Sequence, residues 1–282
     1  MRWRSFATTY GRTAAMTREH DRGGEAGAEA RPSATVMLLR ECAASGLEVY
    51  LLRRAATMRF APGMHVFPGG GVDERDTEPG IRWAGPPPAE WAARLGVAEP
   101  MARALVCAAV RETFEESGVL LAGPPAGGVV ADTRGPDWEA DRTALVDRAL
   151  SFTAFLGDRG LVLRSDLLRA WSRWITPRRE ARRFDTRFFA AALPAGQHTR
   201  DVGGEADRVA WMRPAEAVAA WQRGELEMLP PTVTTCAELA EYGSPAAALA
   251  ARRHIAPIEP AMREVGGELR FVVPEGVPYP RR

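Results

Sequence analysis

Three glutamates, Glu112, Glu115 and Glu116, sit in the last turn of the most regular helical stretch of the chain, and any fold has to accommodate them. Between residues 100 and 117, Ala102, Leu105, Val106, Ala109 and Val110 make one apolar stripe. That pattern predicts a helix with a single buried face, and Gly118 supplies its stop. Positions i, i+3 and i+4 share a helix face, so the three carboxylates approach a common point. Like charges at that spacing repel, and the C-terminal end of a helix carries the negative pole of its macrodipole. A generic E-x-x-E-E cluster is usually a solvated helix end. Its place at the electrostatically unfavourable end argues here for a hard divalent cation taken by oxygen ligands. Arg111, next to the cluster, can pair with a carboxylate and orient it.

Upstream, the apolar runs 34–39 and 47–53 flank Ser45-Gly46 and predict a hairpin. A short strand at 65–67 ends in the loop Pro68-Gly69-Gly70-Gly71, whose carbonyls can complete a metal shell. Residues 74–98 change texture: Asp, Glu, Pro and Gly dominate, with Trp83 and Trp91 as the large anchors. A loop of that length carrying one short helix reads as an insertion with a job of its own. Downstream, 137–157 reads as helical, 167–175 and 184–193 as strands, 209–212 as a short strand and 214–223 as a helix opened by Pro214. Further helices are expected at 231–242 and 245–253 and a last strand at 269–273. Strands and helices mix without regular βαβ alternation, which favours an α+β fold.

Composition removes several function classes. A formal net charge of +1 gives no global field for nucleic acid or an acidic membrane. All 37 basic residues are Arg, so lysine Schiff-base and P-loop lysine chemistry are excluded. Cys42, Cys107 and Cys236 are far apart and odd in number, which fits a reducing cytoplasm better than a disulfide framework. His20, His65, His198 and His254 form no H-x-x-x-H pair, against a zinc hydrolase. No apolar run is long enough to span a membrane. Residues 1–30 read as a disordered tail, or as chain upstream of a start at Met16; their acid-free first 18 residues also have a transit-peptide composition.

Residues 111–119, R-E-T-F-E-E-S-G-V, resemble the second half of the Nudix box, and Phe67-Pro68-Gly69-Gly70 resembles the strand and turn that open it. The resemblance implies a Nudix-type α/β/α sandwich with a mixed sheet, spanning 31–243, with the insert at about 74–98 inside the box. A helical C-terminal extension, 244–282, follows. Glu112, Glu115 and Glu116 match the family's metal-binding glutamates, Gly70 the glycine whose carbonyl joins the metal, and Arg111 the orienting arginine. Thr113 replaces the usual apolar residue, and Gly70 and Arg111 stand about 27 residues further apart than in the uninterrupted box. Eight positions before Arg111, where the family has its first glutamate, stands Arg103; either Glu99 substitutes or the role is absent. The stretches 58–70, 171–177 and 183–189 are similar to the subgroup of the mammalian peroxisomal coenzyme A diphosphatase of type nineteen.

The implied reaction is hydrolysis of a diphosphate in a small nucleotide, with Mg²⁺ or Mn²⁺ held by the glutamates and Gly70. Coenzyme A or acyl-CoA is the leading substrate, giving 3′,5′-ADP and phosphopantetheine. ADP-ribose or NADH, and a catalytically silent nucleotide sensor, are the alternatives. Glu112 and the loop residue Glu205 are two candidates to receive the proton of the attacking water, with Arg111 in support. Arg178, Arg179 and Arg183 are candidates to clamp substrate phosphates, against the plainer reading of a solvated basic loop. Trp83, Trp91, Trp171 and Trp174 can stack a base or fill the core. No nucleic acid or membrane partner is expected, and a homodimer stays open.

Overall fold

The structure is a computed structural model that describes residues 3–5, 28–44, 46–57, 61–178, 180–201, 206–265 and 268–281. Within the segment expected as a tail, β1 (Trp3–Ser5) is a short strand. The expected hairpin is β2 (Arg31–Cys42) with β3 (Gly46–Arg54), antiparallel, Leu39 opposite Val49. Two short strands follow: β4 (His65–Val66) beside β3, and β5 (Gly69–Gly71) antiparallel to β2 with Gly70 opposite Ala34.

Next come a 3-10 turn (Glu74–Thr77), β6 (Trp83–Ala84), α1 (Pro88–Leu95) and α2 (Glu99–Ser117). Beyond β7 (Ala122–Gly123), the stretch expected as one helix divides into α3 (Pro136–Val146) and α4 (Phe152–Asp158). Arg148 lies between them at φ 60°, a left-handed conformation that a continuous helix does not allow. Then come β8 (Val162–Arg164), β9 (Arg169–Ile175), β10 (Phe184–Ala192) and β11 (Ala206–Met212). Helices α5 (Pro214–Gln222), α6 (Pro230–Leu239) and α7 (Pro245–Ala250) follow, each with Pro in its first turn. The chain closes with β12 (Pro257–Ile258), β13 (Ala261–Val265) and β14 (Glu268–Pro274).

The central sheet runs β11-β3-β2-β10-β9-β12 and is mixed: β10 is parallel to β2 and β12 to β9, while the other pairs are antiparallel. Its two faces follow from the period-two alternation of strand side chains. Ala34, Val36 and Leu38 of β2, Tyr50 and Leu52 of β3, and Phe189 and Ala191 of β10 pack with α1, α2 and α4 on one face. Met37 and Leu39, Val49 and Leu51, and Phe188 and Ala190 pack with α5, α6 and α7 on the other. The result is the α/β/α sandwich of an α+β fold. Of the extension after residue 243, α7 is helical, whereas β13 and β14 join β1 in a separate three-stranded sheet.

The insert belongs to the core. Its strand β6 joins β8 and β7 in a small sheet, and its helix α1 lies against α2. Trp91 is fully buried, its ring 5.8 Å from that of Phe189 in an edge-on contact. Trp171 and Trp174 are buried too, so of the four tryptophans considered for base stacking these three pack the interior. Trp83 is half-buried and donates to the Pro86 carbonyl (2.7 Å). Among the described residues, no helix is long and apolar enough to cross a membrane.

Candidate active site

The apolar stripe of α2 buries Ala102, Leu105, Val106, Ala109 and Val110, which presses the helix onto the sheet and sets its C-terminal turn over β5. Thr113, the departure from the apolar consensus, is fully buried, and its hydroxyl donates to the Ala109 carbonyl (2.7 Å), so no polar group is stranded.

Arg111 organises the site. Nε and Nη2 donate to the two carboxylate oxygens of Asp76, both at 2.9 Å. Nη2 also reaches the Gly71 carbonyl (3.1 Å), while Nη1 reaches Glu112 (2.8 Å) and Glu115 (3.2 Å). One buried guanidinium therefore fixes the loop, the 3-10 turn and two of the three helix glutamates. The third, Glu116, accepts the Gly69 amide (2.7 Å). A Cβ at Gly70 would stand 2.4 Å from Glu112 Oε1, so any larger residue there would push the Glu112 carboxylate out of its place. Burial raises the proton affinity of Glu112 and Glu115, Arg111 opposes it, and for Glu112 the neighbouring Glu115 adds to it.

Asp76 is the residue that the sequence reading missed. It stands six positions after Gly70, the offset at which an uninterrupted box places its first acid, and it is fully buried. Its turn is closed by a reciprocal cap: Asp73 accepts the Arg75 amide (3.0 Å) and Asp76 accepts the Asp73 amide (2.8 Å). The extra chain thus lies between Asp76 and α2. Neither residue considered upstream of Arg111 fills the role. Glu99 is exposed in the first turn of α2, thirteen residues or roughly 20 Å of helix from Glu112. Arg103 donates to the Ile81 carbonyl (3.1 Å) and anchors the insert.

The unfavourable helix end is compensated from α3 and the loop after β10. Arg142, buried, donates to the Glu115 carbonyl (2.9 Å) and pairs with Glu139, which also holds Arg200 (3.1 Å). The Arg200 amide donates to the Ser117 carbonyl (3.1 Å), and its guanidinium lies against Gly118, where a Cβ would collide with it. Two cations therefore meet the negative pole of α2. The same contact brings Asp201 close: burial pushes the Tyr50 phenol up, and Asp201 and Glu116 both add to that shift.

Arg178 and Arg183, the described candidates of the basic loop, have partners of their own. Arg183 spends its guanidinium on the Thr176 and Ala28 carbonyls (3.0 and 2.8 Å) and on Glu259 (2.9 Å). Arg178 is exposed and 3.7 Å from the same Glu259. Arg179 and Glu205 lie outside the described residues.

The donor set suits a divalent cation. Three carboxylates and the carbonyls of a glycine turn are hard oxygen ligands, and the space left by the missing side chain of Gly70 holds the Glu112 carboxylate. Among the described residues, no three His, Cys, Asp or Glu side chains close on one point. Arg111 draws Glu112 and Glu115 to one side while the Gly69 amide holds Glu116, so the three carboxylates would have to turn from these partners to share an ion.

The geometry agrees with comparisons to known proteins. The family model described as the NUDT19 Nudix domain matches residues 84–239, more than half of the chain. The chain belongs to the Nudix family. A Nudix hydrolase structure from Alicyclobacillus acidocaldarius is 31% identical with a TM-score of 0.66; the match covers 80% of this chain and 98% of that one. The acyl-coenzyme A diphosphatase NUDT19 of Gallus gallus is 29% identical over 234 residues, 70% of this chain and 62% of its own length. The Homo sapiens protein of the same name is 28% identical over 249 residues, 76% of this chain and 66% of its own. The match to these curated Nudix relatives thus spans just under two-thirds of their length.

Proposed function

We propose that this Nudix protein is a metal-dependent pyrophosphohydrolase that cleaves the diphosphate of coenzyme A or acyl-CoA into 3′,5′-ADP and a phosphopantetheine product. One observation carries the reading: a single buried arginine holds the helix glutamates, the glycine turn and Asp76 together at the C-terminal end of α2. Substrate class rests on the relatives, which are named as acyl-coenzyme A diphosphatases.

Glu112, Glu115 and Glu116, with the carbonyl of Gly70, would hold Mg²⁺ or Mn²⁺. Such ions neutralise diphosphate oxygens and activate water for in-line attack at phosphorus. Arg111 keeps Glu112 and Glu115 in register while Asp76 keeps Arg111 in place, so the carboxylates need no reorganisation of the backbone. Glu112, whose buried carboxyl has a raised proton affinity, is suited to accept a proton from water. Glu205, four residues beyond Asp201, is the second candidate for that proton. We place the protein in a reducing compartment, the cytoplasm, because its three cysteines, Cys42, Cys107 and Cys236, are odd in number and far apart in sequence, which suits no disulfide framework.

The test is a ³¹P assay on coenzyme A, an acyl-CoA, ADP-ribose and NADH, with Mg²⁺, with Mn²⁺ and with chelator. Metal-dependent appearance of 3′,5′-ADP is expected. Preference for ADP-ribose or NADH would move the substrate, and no turnover of any diphosphate would leave a binding module.

A further inference from the structure

On the face of the sheet that carries α2 and the insert, a second charged group lies in line with the glycine turn. Arg187 is in phase with Phe189 and Ala191 along β10, so it points to that face. The strand registers align Gly70 with Ala34, Ala34 with Arg187, and Arg187 with Arg173 of β9. Two strand spacings separate Gly70 from Arg187, roughly 10 Å between backbones.

The charges in this row do not balance. Asp185 receives Arg173 through two bonds (2.9 and 2.7 Å) and Arg187 through Nη1 (2.5 Å), so one carboxylate serves two guanidinium groups. The Arg187 side chain is only 2% exposed, and its Nε has no partner among the described residues. A buried N–H is normally paired, and a buried cation normally has its own counter-charge. The insert brings a second unpaired donor to the same face: Trp91 Nε1, fully buried, on the ring that packs against Phe189. Burial lowers the proton affinity of Arg187, Asp185 opposes this and Arg173 adds to it. Arg173 and Asp185 keep a quarter and a fifth of their side-chain surface exposed and form the solvent edge of the group, with Arg187 buried behind them.

We propose that Arg187 and Arg173 form an anion subsite that takes a phosphate monoester carried by the substrate beside its scissile diphosphate. Planar guanidinium groups match phosphate oxygens in pairs, and the spare donor of Arg187 and the surplus positive charge supply what a dianion needs. The distance from the glycine turn suits a phosphate on the ribose of the same nucleotide. The assignment rests on the hydrolase reading for its orientation, with the diphosphate at the glutamates.

Binding separates the two claims. Adenosine 3′,5′-bisphosphate and 5′-AMP are titrated calorimetrically into the wild-type protein and into Arg173→Gln and Arg187→Gln. Wild type should prefer the bisphosphate by at least about tenfold, the factor a single charge-assisted hydrogen bond carries. That ratio should fall towards one in each variant. Arg173→Gln, at a partly exposed position, keeps the test informative should Arg187→Gln not fold. Equal affinities in wild type, or an unchanged ratio in Arg173→Gln, would overturn the subsite. Discrimination in binding without hydrolysis of any diphosphate would support the subsite and sink the hydrolase reading.

Discussion

Replacing Asp76 by Ala removes the acid that holds Arg111, and the structure gives the size of the effect. Two Arg111 donors at 2.9 Å, the Asp73 amide at 2.8 Å and the Cys107 thiol at 3.4 Å all lose their acceptor. The guanidinium side chain is 9% exposed and Asp76 1%, so water cannot replace the carboxylate without opening the turn. Removing one member of such a buried pair costs about 3–5 kcal/mol. For a chain of this size that is a fall in Tm of roughly 6–20 °C, at about 2–4 °C per kcal/mol. Circular dichroism melts measure it, with Glu90→Ala as control, because the exposed Arg94–Glu90 pair should be worth less than about 1 kcal/mol. A double-mutant cycle with Arg111→Met adds a check: the two losses should overlap strongly, because each variant breaks the same contact. Turnover should fall more than stability explains, since Glu112 and Glu115 lose their common anchor. An Asp76→Ala protein that melts within about 2 °C of wild type and keeps its turnover would show that Asp76 does not hold Arg111 in place.

Four further outcomes follow. Gly70→Ala should leave the fold intact and weaken Mn²⁺ binding by about tenfold or more, because the new Cβ displaces Glu112; an unchanged affinity in a titration would remove Gly70 from the site. Arg142→Gln should lower stability by about 1–3 kcal/mol in urea unfolding through the lost bond to the Glu115 carbonyl, and Arg142→Lys should recover part of it. Trp91→Ala should cost about 3–5 kcal/mol, showing that the insert is core, whereas a surface loop would lose almost nothing. The Asp73 carboxyl is lowered from 3.8 to about 2, first by the Arg75 hydrogen bond, so the folded form binds fewer protons than the unfolded one. Its stabilisation is therefore complete above pH 3.8 and is lost as pH falls towards 2. The Tm difference between wild type and Asp73→Asn should shrink across that window, and a constant difference would count against the assignment.

The parts of this fold that were legible in the sequence are those with strong local periodicity. The α2 stripe, the β2–β3 alternation and the Pro-led α5 were each placed within a few residues, because burial of one face dictates spacing. The separation of 136–158 into two helices was not legible, since nothing in the sequence marks Arg148 as left-handed. β13, Ala261–Val265, was missed because it pairs only with β14 and shows no apolar run. At the site, the three glutamates and Arg111 could be read from helical spacing, but Asp76 could not be reached by counting back from Arg111 through an insertion. Counting forward from Gly70 reaches it, because the glycine turn and its cap are local and the insert begins after them. The charge imbalance at Arg187 depends on strands β2, β9 and β10 lying side by side, a long-range pairing that sequence spacing does not contain.

If the α2 glutamates bind the divalent metal that the proposed reaction requires, Glu115 is one of its ligands. Electron paramagnetic resonance of Mn²⁺, titrated into wild type and Glu115→Gln with melts run in parallel, measures that binding without depending on a substrate. Wild type should show a saturable site, at least about tenfold weaker in the variant, with the melting temperature held. Equal Mn²⁺ affinity in both proteins would contradict that assignment.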